Sequence, residues 1–140
     1  MAKKEITKSR LAKALTSEKN NKRSKKEYYW PSKEEAIRWH HIINREVFDG
    51  CLDEKIEIDV RRRHGVYGEC QGYLEDEKHV VTISFNHWFK SKKHFIECVV
   101  HEMVHQYQWE QLHEMTHGKS FYAWQPKLQK YGMLLMEKQK

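Results

Sequence analysis

The chain has 140 residues, 39% of them hydrophobic and 33% charged, which predicts one domain of ordinary size. No apolar run approaches the roughly 18 residues of a membrane helix, and residues 1–30 hold no apolar stretch of the signal-peptide type. Membrane and secreted proteins are thereby excluded, and a cytoplasmic protein (nuclear in a eukaryote) is expected. Cys51, Cys70 and Cys98 form no CxxC pair, which argues against a disulfide scaffold and an all-cysteine zinc ribbon and for reduced thiols.

The net charge of +6 is unevenly spread. Residues 1–27 hold ten Lys/Arg against three Glu, a charge of +7, while residues 28–140 carry −1. The first segment has few large apolar side chains beyond Ile6, Leu11 and Leu15, and residues 20–26 are polar throughout. It reads as a flexible basic arm with a transient helix near Ser9–Leu15, followed by a domain over 28–140. Such an arm either solubilises the chain or contacts nucleic-acid phosphates.

Order is expected from Tyr28. Pro31 and the capping box Ser32-x-x-Glu35 open an amphipathic helix, with Ile37, His41, Asn44 and Phe48 at helical spacing and Gly50 at its end. Ile56, Ile58 and Val60 alternate with charged residues and predict a half-buried strand; Glu69–Leu74 predicts a second, and Val80–Phe85 a third. With Gly65, Gly68 and the Glu75-Asp76-Glu77 turn between them, the three read as an antiparallel meander. A long helix follows, its apolar stripe made of Ile96, Val99, Val100, Met103, Val104 and Tyr107. After a loop over His113–Gly118, a last helical stretch runs to Gly132, and Pro126 should kink or split it.

The motif that carries chemistry is His101-Glu102-Met103-Val104-His105. On a helix, positions i and i+4 share a face, so both imidazoles can bind one Zn²⁺ while Glu102 serves as general base toward a water. A zinc hydrolase needs a third protein ligand. His117 is preferred over His113 because Gly118 lets the backbone turn and a helix follows to hold the ligand, whereas His113 lies at the fraying end of the motif's own helix.

These residues resemble the SprT family, which includes the Spartan-type proteases. The matching positions are His101, Glu102 and His105, then His117, Gly118 and Phe121, preceded by Asn44, Phe48 and Gly50 in an N-x-x-x-F-x-G-like stretch. The likeness covers about residues 30–132. It implies a single-domain zincin-like metallopeptidase of α+β class acting on protein or peptide substrates. Since Spartan-type members cleave proteins crosslinked to DNA, it also suggests a role in DNA–protein crosslink repair.

Other residues have blander readings. Cys98 reads as a small buried hydrophobe, Arg61-Arg62-Arg63-His64 as a solvated turn, and Trp88, Trp109 and Trp124 as packing rather than stacking platforms for bases. Tyr107 and Tyr122 are near the motif in sequence and are candidates for stabilising an oxyanion. The expectation is a monomeric zinc endopeptidase, with the HExxH helix packed on the sheet and the first helix behind it. Its rivals are a nucleic-acid-binding or adaptor protein whose zinc is structural, and a zinc hydrolase of small amides.

Overall fold

The computed structural model describes residues 9–20 and 27–136, and its first long helix begins where the Ser32 capping box predicts. Among the described residues, two helices precede the sheet: α1, Arg10–Asn20, and α2, Lys33–Val47. At the start of α2, Ser32 Oγ accepts the Glu35 N–H at 3.0 Å while Glu35 Oε1 accepts the Ser32 N–H at 3.1 Å. Ala36, Trp39, Ile43 and Val47 form its buried face. Past its end, Asp49 and Gly50 take left-handed φ of 55° and 75°. The Asn44 side chain pairs with both backbone groups of Leu52, at 3.0 and 3.1 Å, so it pins the loop that leaves the helix.

The strands are β1, Glu57–Val60, β2, Gly68–Glu75, and β3, Lys78–Phe85, in spatial order β1-β3-β2. The expected antiparallel meander is corrected: β2 is antiparallel to β3, but β1 is parallel to it, and the sheet is mixed. The reason lies at the two edges of β3. One edge pairs with β2 across the two-residue turn Asp76–Glu77, whose φ values of 51° and 68° suit a tight hairpin. Trp109 lies over the face of β2 at its turn end: its Nε1 donates to the Tyr73 carbonyl at 3.2 Å, and a Cβ at Gly72 would come within 2.7 Å of its ring. The free edge of β3 remains for β1, and pairing there sets Ile58 beside Ile83 in the buried layer.

The next long helix is α3, Lys92–Tyr107, capped by the Ser91 hydroxyl, which accepts the His94 N–H at 3.0 Å. Its residues Phe95, Ile96, Val99, Val100, Met103 and Val104 join Ile58, Val81, Ile83 and Phe85 of the sheet and the inner face of α2 in one core. A π-helical turn, Gln108–Leu112, continues α3 and ends at His113, whose φ is 61°. Two short helices close the fold, α4, Lys119–Tyr122, and α5, Gln125–Gln129. Pro126 lies in the first turn of α5, so the proline splits the last helical stretch as its missing N–H predicts. No helix among the described residues is long and apolar enough to cross a membrane.

The reading of residues 1–27 as one flexible arm is corrected over α1. Leu11 and Leu15, one turn apart, are 0% and 5% exposed and belong to the core. The helix N-terminus is held by Glu46 of α2: Ser9 Oγ donates to Oε1 at 2.6 Å, and the Arg10 and Leu11 N–H groups point at Oε2 at 3.1 and 3.5 Å. A carboxylate there satisfies orphan donors and complements the positive end of the helix. The polar stretch over 21–26 lies outside the described residues.

Candidate metal centre

His101 and His105 project from α3 one turn apart, both buried, and His117 comes to them from the loop after the π turn. Among the described residues, these three offer ligand atoms that all lie within 4.8 Å of one another, with His117 the exposed member. The nearest approach is between His105 Nε2 and His117 Nε2, at 3.1 Å. Phe121, fully buried, forms the floor: its ring centroid is 5.0 Å from those of His101 and His105 and 4.9 Å from that of His117. The turn after His117 is built by Gly118, whose carbonyl accepts the N–H groups of Phe121 and Tyr122 at 3.1 Å and starts α4. His113, the other candidate ligand, is elsewhere. Its ring stacks on His79 of β3, with centroids 3.8 Å apart.

The electrostatics suit a cation. Burial holds the His101 imidazole down to about 3, with His105 and His117 adding to the effect, and burial lowers His105 as well. Two neutral imidazoles therefore face the third with lone pairs available, which is the donor state a divalent metal requires. His101 Nδ1 is buried and has no hydrogen-bond partner among the described residues. Three imidazole nitrogens favour Zn²⁺ or another borderline transition metal over calcium or magnesium.

Glu102 stands beside the trio, its Oε2 4.0 Å from His101 Nε2. Burial pushes its carboxyl up to about 8, Glu69 adds to the rise, and Arg63 and the Cys70 backbone N–H pull it back. A cation at the three imidazoles favours the ionised form. The contact with Cys70 shows why β2 matters: it runs directly along this face of α3. Gly68 permits the approach, since a Cβ there would stand 2.7 Å from Cys98 Sγ and 3.3 Å from Glu102 Cγ.

Several neighbours escape a reading of the sequence alone. Arg63 is not a solvated turn residue; its guanidinium is mostly buried and binds Ser84 and Glu69. Gln108, in the π turn, binds His105 Nδ1 at 2.8 Å. Cys98, by contrast, is the buried hydrophobe expected, and burial raises its thiol well above the ordinary range. Trp88, Trp109 and Trp124 pack on Tyr28, on Gly72 and on Phe48 respectively. Tyr107 also packs on Phe48 and Trp124, whereas Tyr122 is 40% exposed next to Phe121.

The sequence places the same residues in a known group: positions 36–138 match the SprT-like family. The chain belongs to the SprT-like family. The match covers most of the chain, from the first turns of α2 through the histidine trio and beyond α5. Membership in the SprT-like family suggests a metallopeptidase-like domain. No curated protein matches the chain.

Proposed function

We propose that this SprT-like protein is a zinc metallopeptidase of zincin-like architecture that hydrolyses peptide bonds in proteins. The observation that carries the reading is the convergence of His101, His105 and His117 beside a buried carboxylate that belongs to no ligand group. In this reading the three imidazoles hold Zn²⁺ and leave room for a further ligand. When bound, the metal supplies Lewis-acid chemistry, acidifying water and polarising the substrate carbonyl. Glu102 takes a proton from the attacking water on its carboxylate oxygen and returns it to the leaving amine nitrogen. Phe121 and the α3 core keep the imidazoles in place and bulk water away from their inner faces. At its Gly68–Gln71 end β2 is an edge strand beside Glu102, so an extended polypeptide can add there as a further strand, which favours protein over small-amide substrates. The protein acts as a monomer, and the charge of +7 on residues 1–27 supports an electrostatic contact with DNA and hence DNA-associated or DNA-crosslinked proteins as substrates.

Glu102→Gln tests the enzyme reading. The variant keeps the shape of the side chain and removes the base, so it should bind zinc and melt like the parent while peptide cleavage falls roughly 10²–10⁴-fold. Cleavage at the parent rate would favour the other reading, an adaptor or nucleic-acid-binding protein in which zinc only holds the fold.

A further inference from the structure

Gln108 is completely buried at the start of the π turn, and its amide touches three separate pieces of the centre. Oε1 faces His105 Nδ1 at 2.8 Å and the Thr116 backbone N–H at 3.4 Å. Nε2 donates to Ser120 Oγ at 2.8 Å, and that hydroxyl donates to the Glu114 carboxylate. The orientation of the amide follows from its partners. A backbone N–H can only donate, so the amide atom facing Thr116 is the oxygen. An oxygen facing His105 Nδ1 requires that nitrogen to carry the proton, which leaves the lone pair on Nε2, the atom turned toward His117.

We propose that Gln108 is the positioning residue of the metal centre: it selects the His105 tautomer and also sets where the His117 loop sits. The inference rests on the zinc reading above. Thr116 immediately precedes His117, and Ser120 lies in the first turn of the helix that follows it. One amide therefore ties the second ligand, on α3, to both ends of the segment that presents the third. The hydrogen bonds also run in one direction, from imidazole to amide to hydroxyl to carboxylate. Such a chain polarises cooperatively and raises the basicity of the imidazole at its head. The π turn is what aims the Gln108 side chain, since it re-spaces the residues after His105 and returns the chain so that the Glu114 N–H reaches the Gln108 carbonyl at 3.2 Å.

Two substitutions in the full chain test this. Gln108→Leu keeps the volume and removes both polar atoms; Gln108→Glu keeps an acceptor for His105. Zinc affinity is read by competition with a chelator, and the His105 tautomer by long-range ¹H–¹⁵N spectra of the metal-free protein. Gln108→Leu should weaken zinc by roughly 10- to 100-fold and let the Nε2–H tautomer of His105 appear, and Gln108→Glu should recover most of both losses. Parent affinity and parent tautomer in Gln108→Leu overturn the proposal, and so does equal loss in the two variants, which marks a packing role. If Gln108→Leu does not fold, Ser120→Ala carries the test: it cuts the link to Glu114 at a smaller, partly exposed site and should weaken zinc on the order of tenfold, with unchanged affinity overturning the coupling. A parent chain that takes up no zinc defeats the proposed function instead, and the tautomer comparison in metal-free protein still decides the role of Gln108.

Discussion

Gly68 lies against Cys98 with no room for a methyl group between them, and Glu102 crowds the same point. A Cβ at residue 68 would stand 3.3 Å from Glu102 Cγ, 3.2 Å from the Phe85 ring and 2.7 Å from Cys98 Sγ. The edge strand and the carboxylate are therefore set by one close approach. Gly68→Ala should cost about 1–3 kcal/mol of stability and lower peptidase activity more than it lowers zinc content. Cys98→Ala removes the nearest obstacle, so the double variant should be more stable than the sum of the single effects predicts. Strict additivity in chemical denaturation would show that the strand moves away freely.

The choice of third ligand is open to elemental analysis. His117→Ala should drop the zinc content well below the one ion per chain expected of the parent. His113→Ala, which only unstacks from His79, should leave it unchanged. The reverse pattern would move the centre to the other side of the loop.

His94 predicts an acid-labile element away from the metal. Burial, with Lys90 nearby, holds its imidazole down to about 4 against an ordinary 6.5, and its Nδ1 accepts the Lys90 backbone N–H at 3.1 Å. A lowered pKa means that the unfolded chain binds this proton more readily than the folded one. The contribution is complete above about pH 6.5 and is lost as pH falls toward 4. His40, His101 and His105 titrate with the same sign, so the measurement is a difference. Between pH 7 and 5, His94→Gln should lose less stability in urea than the parent does. An identical loss would assign the acid sensitivity to the other histidines.

Docking of α1 is testable through its apolar face and its cap. Leu11→Ala should destabilise the protein by about 2 kcal/mol or more, as burial of a whole leucine implies. Glu46→Gln should cost about 1 kcal/mol through the weakened cap. A segment that does not dock would leave both thermal midpoints unchanged.

An electrostatic role in DNA binding is tested without disturbing that helix. Changing Lys22, Arg23, Lys25 and Lys26 to Gln leaves Leu11 and Leu15 in place. It should weaken duplex binding and flatten the slope of log K against log salt by up to about 3 to 4, at roughly 0.9 for each phosphate no longer neutralised. An unchanged slope would make the cluster a solubilising feature only.

Much of this protein is legible from local chemistry. The capping box, the apolar stripe of α3, the hairpin turn and the split at Pro126 each depend on residues close in the chain, and each is where its residue types put it. The histidine trio is legible because the HExxH spacing and a glycine after the third histidine are local as well. What escapes the sequence depends on distant partners. Leu11 and Leu15 look too few to anchor a basic segment, and the carboxylate that caps them is 36 residues from Arg10. Parallel pairing of β1 depends on which edge of β3 the hairpin leaves open, and the alternation over Ile56–Val60 is the same for either strand direction. Gln108 is hidden by the π turn, since the residues after His105 read as plain helix and give no cue to the changed spacing.

The mixed sheet also bears on how the chain reaches its native state. The β2–β3 hairpin joins neighbouring residues across a two-residue turn, a pairing that forms on the order of microseconds. β1 pairs Glu57 with Thr82 and has no partner strand until β3 exists, although it leaves the ribosome first. During synthesis, the alternating segment from Ile56 to Val60 thus waits with its backbone unpaired and Ile58 uncovered. The expected nucleus is the hairpin with α3 laid on it, with β1 adding afterwards to close the sheet. Substitutions at Ile58 should accordingly speed unfolding more than they slow folding, and a chaperone that binds extended apolar segments would find its target here, upstream of every metal ligand.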